Sequence, residues 1–130
     1  MKKTVRSFGH ALEGLLHAMK EEANLRRFII GHVVLVVLGL ILGIDILSLL
    51  LATIFAGLFV SIELLNTAIE RLADTLDDFE KKRNQGHYHL GIKQTKDVAA
   101  AGSLVALLIY GITILLILAP YFPSRFTLSI

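Results

Sequence analysis

Four polar side chains interrupt a run of sequence that is otherwise suited to lipid. In Ser61-Ile62-Glu63-Leu64-Leu65-Asn66-Thr67-Ala68-Ile69-Glu70-Arg71-Leu72-Ala73-Asp74, the residues Glu63, Asn66, Glu70 and Asp74 recur at helical spacing. At roughly 100° per residue they fall within an arc of roughly 80°, on one face of a helix. The preceding residues 46–62 are almost wholly apolar. Carboxylates at membrane depth cost free energy and persist where they face a polar interior, a metal or a substrate, which makes this stripe a functional candidate. Two carboxylates and an amide, without sulfur or a His-x-x-x-His pair, form a hard oxygen site. Such a site suits Mg²⁺ held together with substrate phosphates. Glu22 and the pair Lys96-Asp97 reach the same layer if the chain folds as three spans. A lysine there could neutralise a transferring phosphoryl group.

Each of these residues also has a plainer reading. Glu22 could be the solvated end of a surface helix. Glu70 and Asp74 could lie outside the bilayer, paired with Arg71 or a loop lysine. Asn66 could join helices. Lys96 could snorkel, and Asp97 could cap the third span near its N-terminus. Glu63 is the hardest to explain this way, because apolar sequence precedes it and Leu64-Leu65 follow. His87 and His89 read as loop residues, and His32 as a hydrogen-bonded packing residue. No Walker A loop, glycine-rich kinase loop or Ser-His-Asp arrangement is present, so any phosphoryl transfer needs an unconventional site.

The elements that must position these residues are helices. The chain has 130 residues, 55% of them hydrophobic, with mean hydropathy +0.69, which points to one membrane domain. A net charge of only +2 argues against a nucleic-acid surface. Without cysteine there is no disulfide framework or thiolate metal site. The N-terminus has no continuous apolar core or small-residue cleavage site of the secretory kind. Residues 4–22 read as an amphipathic helix in the headgroup plane, with Val5, Phe8, Leu12, Leu15, Leu16 and Met19 at helical spacing. Residues 28–44, 46–76 and 97–118 read as three spans. Gly43-Ile44-Asp45 is the turn between the first two, and 77–94 is an aqueous segment. Basic residues cluster before the first span and between the second and third. The N-terminus and the 77–96 loop are therefore expected in the cytoplasm, and the C-terminus outside.

The stretch Glu63-Leu64-Leu65-Asn66-Thr67-Ala68-Ile69-Glu70 resembles the signature of the small prokaryotic diacylglycerol kinases, a family that includes undecaprenol kinases. Lys96-Asp97-Val98-Ala99-Ala100-Ala101 is similar to its second motif. Ser7-Phe8, Ala11, Gly14 and Glu22-Ala23-Asn24 resemble its N-terminal helix. The likeness covers about residues 6–119. It implies an all-α membrane protein with an N-terminal amphipathic surface helix and three transmembrane helices, assembled as a homotrimer with shared active sites in the bacterial inner membrane. The implied activity is transfer of the ATP γ-phosphoryl group to the hydroxyl of a membrane lipid, undecaprenol or diacylglycerol. Glu63 would be the general base and Asn66 would orient the cluster. Glu22 and Glu70 would hold Mg²⁺ on the ATP phosphates. Lys96, Asp97, His87, His89 and Lys3 would contact the nucleotide, with Arg6 an alternative to Lys3. Phe28, Ala11 and Ala100 depart from residues found in some members, which bears on lipid preference. A small ion-coupled transporter with Glu63 as its proton-binding acid is the alternative from another class, and a pore-forming assembly is a third.

Overall fold

The computed structural model of this protein describes residues 2–83 and 90–121. Within them the chain forms four α-helices: α1 (Lys2–Glu21), α2 (Ala23–Ile41), α3 (Ile46–Arg83) and α4 (Leu90–Leu118), followed by a 3₁₀ turn, Ala119–Tyr121. The chain breaks between α1 and α2 at Glu22, whose φ of −94° and ψ of 100° are extended. It reverses between α2 and α3 through a Schellman closure. The Ile44 N–H donates to the Gly39 carbonyl at 2.9 Å and the Gly43 N–H to that of Leu40 at 3.2 Å. Gly43 sits at φ +74°, the left-handed conformation this closure needs. Asp45 then caps α3, its carboxylate accepting from the Ser48 amide at 2.9 Å and the Ser48 hydroxyl at 2.6 Å. The turn expected at Gly43-Ile44-Asp45 is therefore the turn observed.

Helices α2, α3 and α4 are each long and apolar enough to cross a membrane. Their large apolar side chains mostly face outward. Leu47, Leu108 and Leu116 are exposed, and Leu25 is the only large side chain that is fully buried among the described residues. Many of the buried helix positions are small residues instead. Ala52, Ala56 and Ala73 on α3 and Ser103 and Ala106 on α4 are buried, as expected where lipid supplies no hydrophobic drive and backbones gain by close approach. Gly39 makes the same point on α2: a Cβ there would lie 2.6 Å from Leu49 Cδ2 on α3.

The helices run beyond the expected spans on their charged side, whereas α2 stops three residues short of residue 44 at the turn. Helix α2 starts at Ala23 and ends at Ile41; α3 continues past residue 76 to Arg83; α4 begins at Leu90, well before Asp97. Apolarity marks the lipid-facing part of a helix, whereas helicity continues wherever side chains support it. In the charged end of α3, Lys81 and Asp77 form an ion pair at 2.5 Å one turn apart. At 38 residues, α3 is about 57 Å long, against about 30 Å of hydrocarbon.

Candidate active site

Helix α3 is the spine of the site, and the stripe meets a different partner at each level. Glu63 is half-buried, and its Oε2 accepts a hydrogen bond from Ser103 Oγ on α4. One turn on, buried Asn66 donates through Nδ2 to Glu70 Oε1 at 3.2 Å. Arg71 reaches Glu22, at the α1–α2 junction, with an N–O distance of 3.7 Å. Farther along, Lys96 on α4 donates to Asp74 Oδ1 at 2.7 Å. Glu22, the Glu63/Asn66/Glu70 face and the Lys96 end of α4 are thus brought to one stretch of α3. Asp97 is exposed beside Lys96. It lies well inside α4, so the capping alternative falls away. His87 and His89 lie outside the described residues, as does the side chain of Lys3.

Glu22, Asn66 and Glu70 offer oxygens of the kind a hard cation takes. Asn66 Oδ1 is buried and has no hydrogen-bond partner among the described residues, although the same amide engages Glu70. A buried acceptor left unsatisfied is costly and calls for a partner. Glu70 and Glu22 add carboxylate oxygens. No group of three or more His, Asp or Glu side chains that could hold a metal occurs among the described residues. A cation here would need oxygens from elsewhere to complete its shell, which is the habit of Mg²⁺ bound with a nucleotide.

The floor of this layer is aromatic. Phe28 packs on Phe59 at 4.2 Å and on Tyr110 at 5.0 Å between ring centroids. His32 Nδ1 lies 3.0 Å from the Tyr110 hydroxyl, and its Nε2 lies 3.3 Å from Thr53 Oγ1. His32 is thereby the hydrogen-bonded packing residue the sequence suggested, and it ties α2, α3 and α4 together. Ser103 is the site residue that sequence reasoning missed. It was visible only as part of the small-residue run that opens the third span. The signal that could have found it is spacing: Lys96, Ser103 and Tyr110 recur every seventh residue and share one face of α4. Each of the three meets a polar partner across the bundle.

Residues 9–118 match the family model described as prokaryotic diacylglycerol kinase. The chain belongs to that family. It is also 28% identical over 120 residues to the undecaprenol kinase of Bacillus subtilis (strain 168), an alignment covering 92% of this chain and 91% of that protein. This family member is a lipid kinase, a phosphotransferase acting on an alcohol group, with three candidate membrane-spanning helices. Glu22, Glu63, Asn66, Glu70, Lys96, Asp97 and Ser103 fall inside the matched residues, and Lys3 falls before them.

Proposed function

We propose that this kinase transfers the γ-phosphoryl group of ATP directly, in line, to the hydroxyl of undecaprenol or diacylglycerol, with undecaprenol the first choice. The observation that carries this reading is the placement of Glu63. It lies about 26 Å along α3 from Ile46, near the far edge of about 30 Å of hydrocarbon. Beyond it come Asn66, Glu70 and the ion pairs to Glu22 and Lys96. A lipid hydroxyl arriving from the bilayer and a phosphate arriving from water would meet at that level. The likeness to an undecaprenol kinase supports the choice of acceptor.

In this mechanism the Glu63 carboxylate accepts the proton of the lipid hydroxyl as its oxygen approaches the γ-phosphorus. General-base help of this kind contributes about 10²–10⁴-fold. Asn66 holds Glu70 in place, and Glu22 and Glu70 would supply carboxylate oxygens for Mg²⁺. When bound, the cation neutralises charge on the phosphate oxygens. Lys96, Asp97, Lys3, His87 and His89 hold the nucleotide. Positioning and charge stabilisation do most of the work in phosphoryl transfer, so a site without a glycine-rich loop suffices.

The same proposal places the N-terminus and the 77–96 loop in the cytoplasm of a bacterium, the C-terminus outside, and a single domain of surface helix plus three spans in a homotrimer. Val5 and Phe8 are both 73% exposed on α1, and Leu16 is 58% exposed, which suits a helix lying in the headgroup layer. Family membership does not favour the transporter alternative. The test is transfer of labelled phosphate from ATP, with Mg²⁺, by the purified protein in mixed micelles, offering undecaprenol and diacylglycerol separately. Label on undecaprenol in preference to diacylglycerol is the expected result. Transfer to neither lipid by folded protein would overturn the reading.

A further inference from the structure

We infer that Ser103 is a positioning residue for the base, holding the Glu63 carboxylate in its reactive orientation by a hydrogen bond across the α3–α4 interface. The inference rests on the reading of Glu63 as the base. A hydroxyl inside a membrane helix has an easy local acceptor, the carbonyl one turn back. Thr53, Ser61, Thr75, Thr95 and Thr113 all take it, donating to Leu49, Gly57, Arg71, Gly91 and Ile109 at 2.8–2.9 Å. Ser103 does not. Its hydroxyl reaches across to Glu63 Oε2. Ser103 is only 6% exposed, so water does not substitute readily for that bond.

The geometry gives the bond a use. Glu63 is a half-buried, flexible side chain on α3. Ser103 Oγ is the one hydrogen-bond partner of its carboxylate among the described residues, which leaves the second oxygen, Oε1, for the acceptor hydroxyl. Because Ser103 lies two turns beyond Lys96 on the same face of α4, one rigid helix carries both groups. The chain that positions the cationic side chain therefore positions the base as well. Loss of orientation at this distance from the chemistry is expected to slow turnover by about 10- to 100-fold.

The experiment is steady-state kinetics of the full-length protein in mixed micelles with wild type, Ser103→Ala, Ser103→Thr and Glu63→Gln, beside thermal shifts produced by Mg²⁺ with a non-hydrolysable ATP analogue. The expected result for Ser103→Ala is a kcat lower by about 10- to 100-fold, KM for both substrates within about threefold, and an unchanged nucleotide-induced shift. Ser103→Thr, which restores a hydroxyl at the same place, is expected to recover most of the turnover. Wild-type kcat in Ser103→Ala beside an inactive Glu63→Gln would overturn the role of Ser103 and leave Glu63 as the base. A threonine variant with an intact nucleotide shift that is as slow as the alanine variant would overturn it too. An active Glu63→Gln would remove the base reading itself, and this inference with it.

Discussion

At the residue scale, the acids differ in the partners that hold them, and each partner makes its own prediction. Glu70 is held by Asn66, whose remaining oxygen has no partner among the described residues. Asn66→Leu removes both the tether and the orphan acceptor. The variant is expected to lose at least tenfold in apparent Mg²⁺ affinity in a titration of activity, while Asn66→Asp, which keeps an oxygen there, loses less. Asp45, at the opposite end of α3, is a structural acid. The Ser48 hydroxyl, and then the Ser48 amide, hold its carboxyl below the usual aspartate value. A carboxyl that binds its proton less tightly in the folded state stabilises the fold above its unfolded value of about 3.9. That contribution fades as pH falls through the lower folded value. Asp45→Ala is therefore expected to lower the Tm at pH 6 and to differ much less from wild type at pH 3. An equal difference at both would place the effect outside the carboxylate's charge.

At the element scale, two joints set the geometry of the bundle. The first is the α2–α3 turn. Gly43 has open space around its Cα, so Gly43→Ala meets no clash and adds only the cost of a left-handed alanine. About 1 kcal/mol of lost stability is expected in a denaturation series. The second joint is His32, between Tyr110 and Thr53. Interhelical hydrogen bonds in membranes average about 0.6 kcal/mol each, so His32→Phe should lower stability by about 1 kcal/mol while leaving the nucleotide-induced thermal shift intact. The Schellman turn was legible in Gly43-Ile44-Asp45, because glycine before a new apolar run has few other uses. The helix ends were less legible. Residues 77–83 read as aqueous because they are charged, but charge at i, i+4 spacing sustains a helix, as Asp77 and Lys81 do. Ser103 was illegible for a related reason: amid Ala99, Ala100, Ala101 and Gly102 it reads as one more small packing residue, and its partner lies 40 residues away in sequence.

At the scale of the whole molecule, a single chain gathers Glu63, Asn66 and Glu70 on one face and pairs Glu22 and Lys96 with neighbours along it. Three helices whose large apolar side chains point outward need lipid or other copies of the chain to cover them. The proposed homotrimer with shared sites makes a sharp prediction. Mixing Glu63→Gln protomers with Glu70→Gln protomers should restore part of the activity, read as labelled lipid phosphate, because some sites then receive both native carboxylates. The stripe itself was legible in the sequence, since glutamate within an apolar helix is hard to explain otherwise; which of its members touch one another was not, because that depends on how α4 is set against α3. The central claim is that Glu63 acts on the lipid hydroxyl and not on the nucleotide. It is tested most directly by single-turnover transfer from labelled ATP to undecaprenol, comparing wild type with Glu63→Gln while following the Mg²⁺–nucleotide thermal shift in both. A transfer rate lower by at least about 10²-fold with the shift unchanged is the predicted result. Transfer within a few-fold of wild type, or loss of the shift together with the rate, would contradict it.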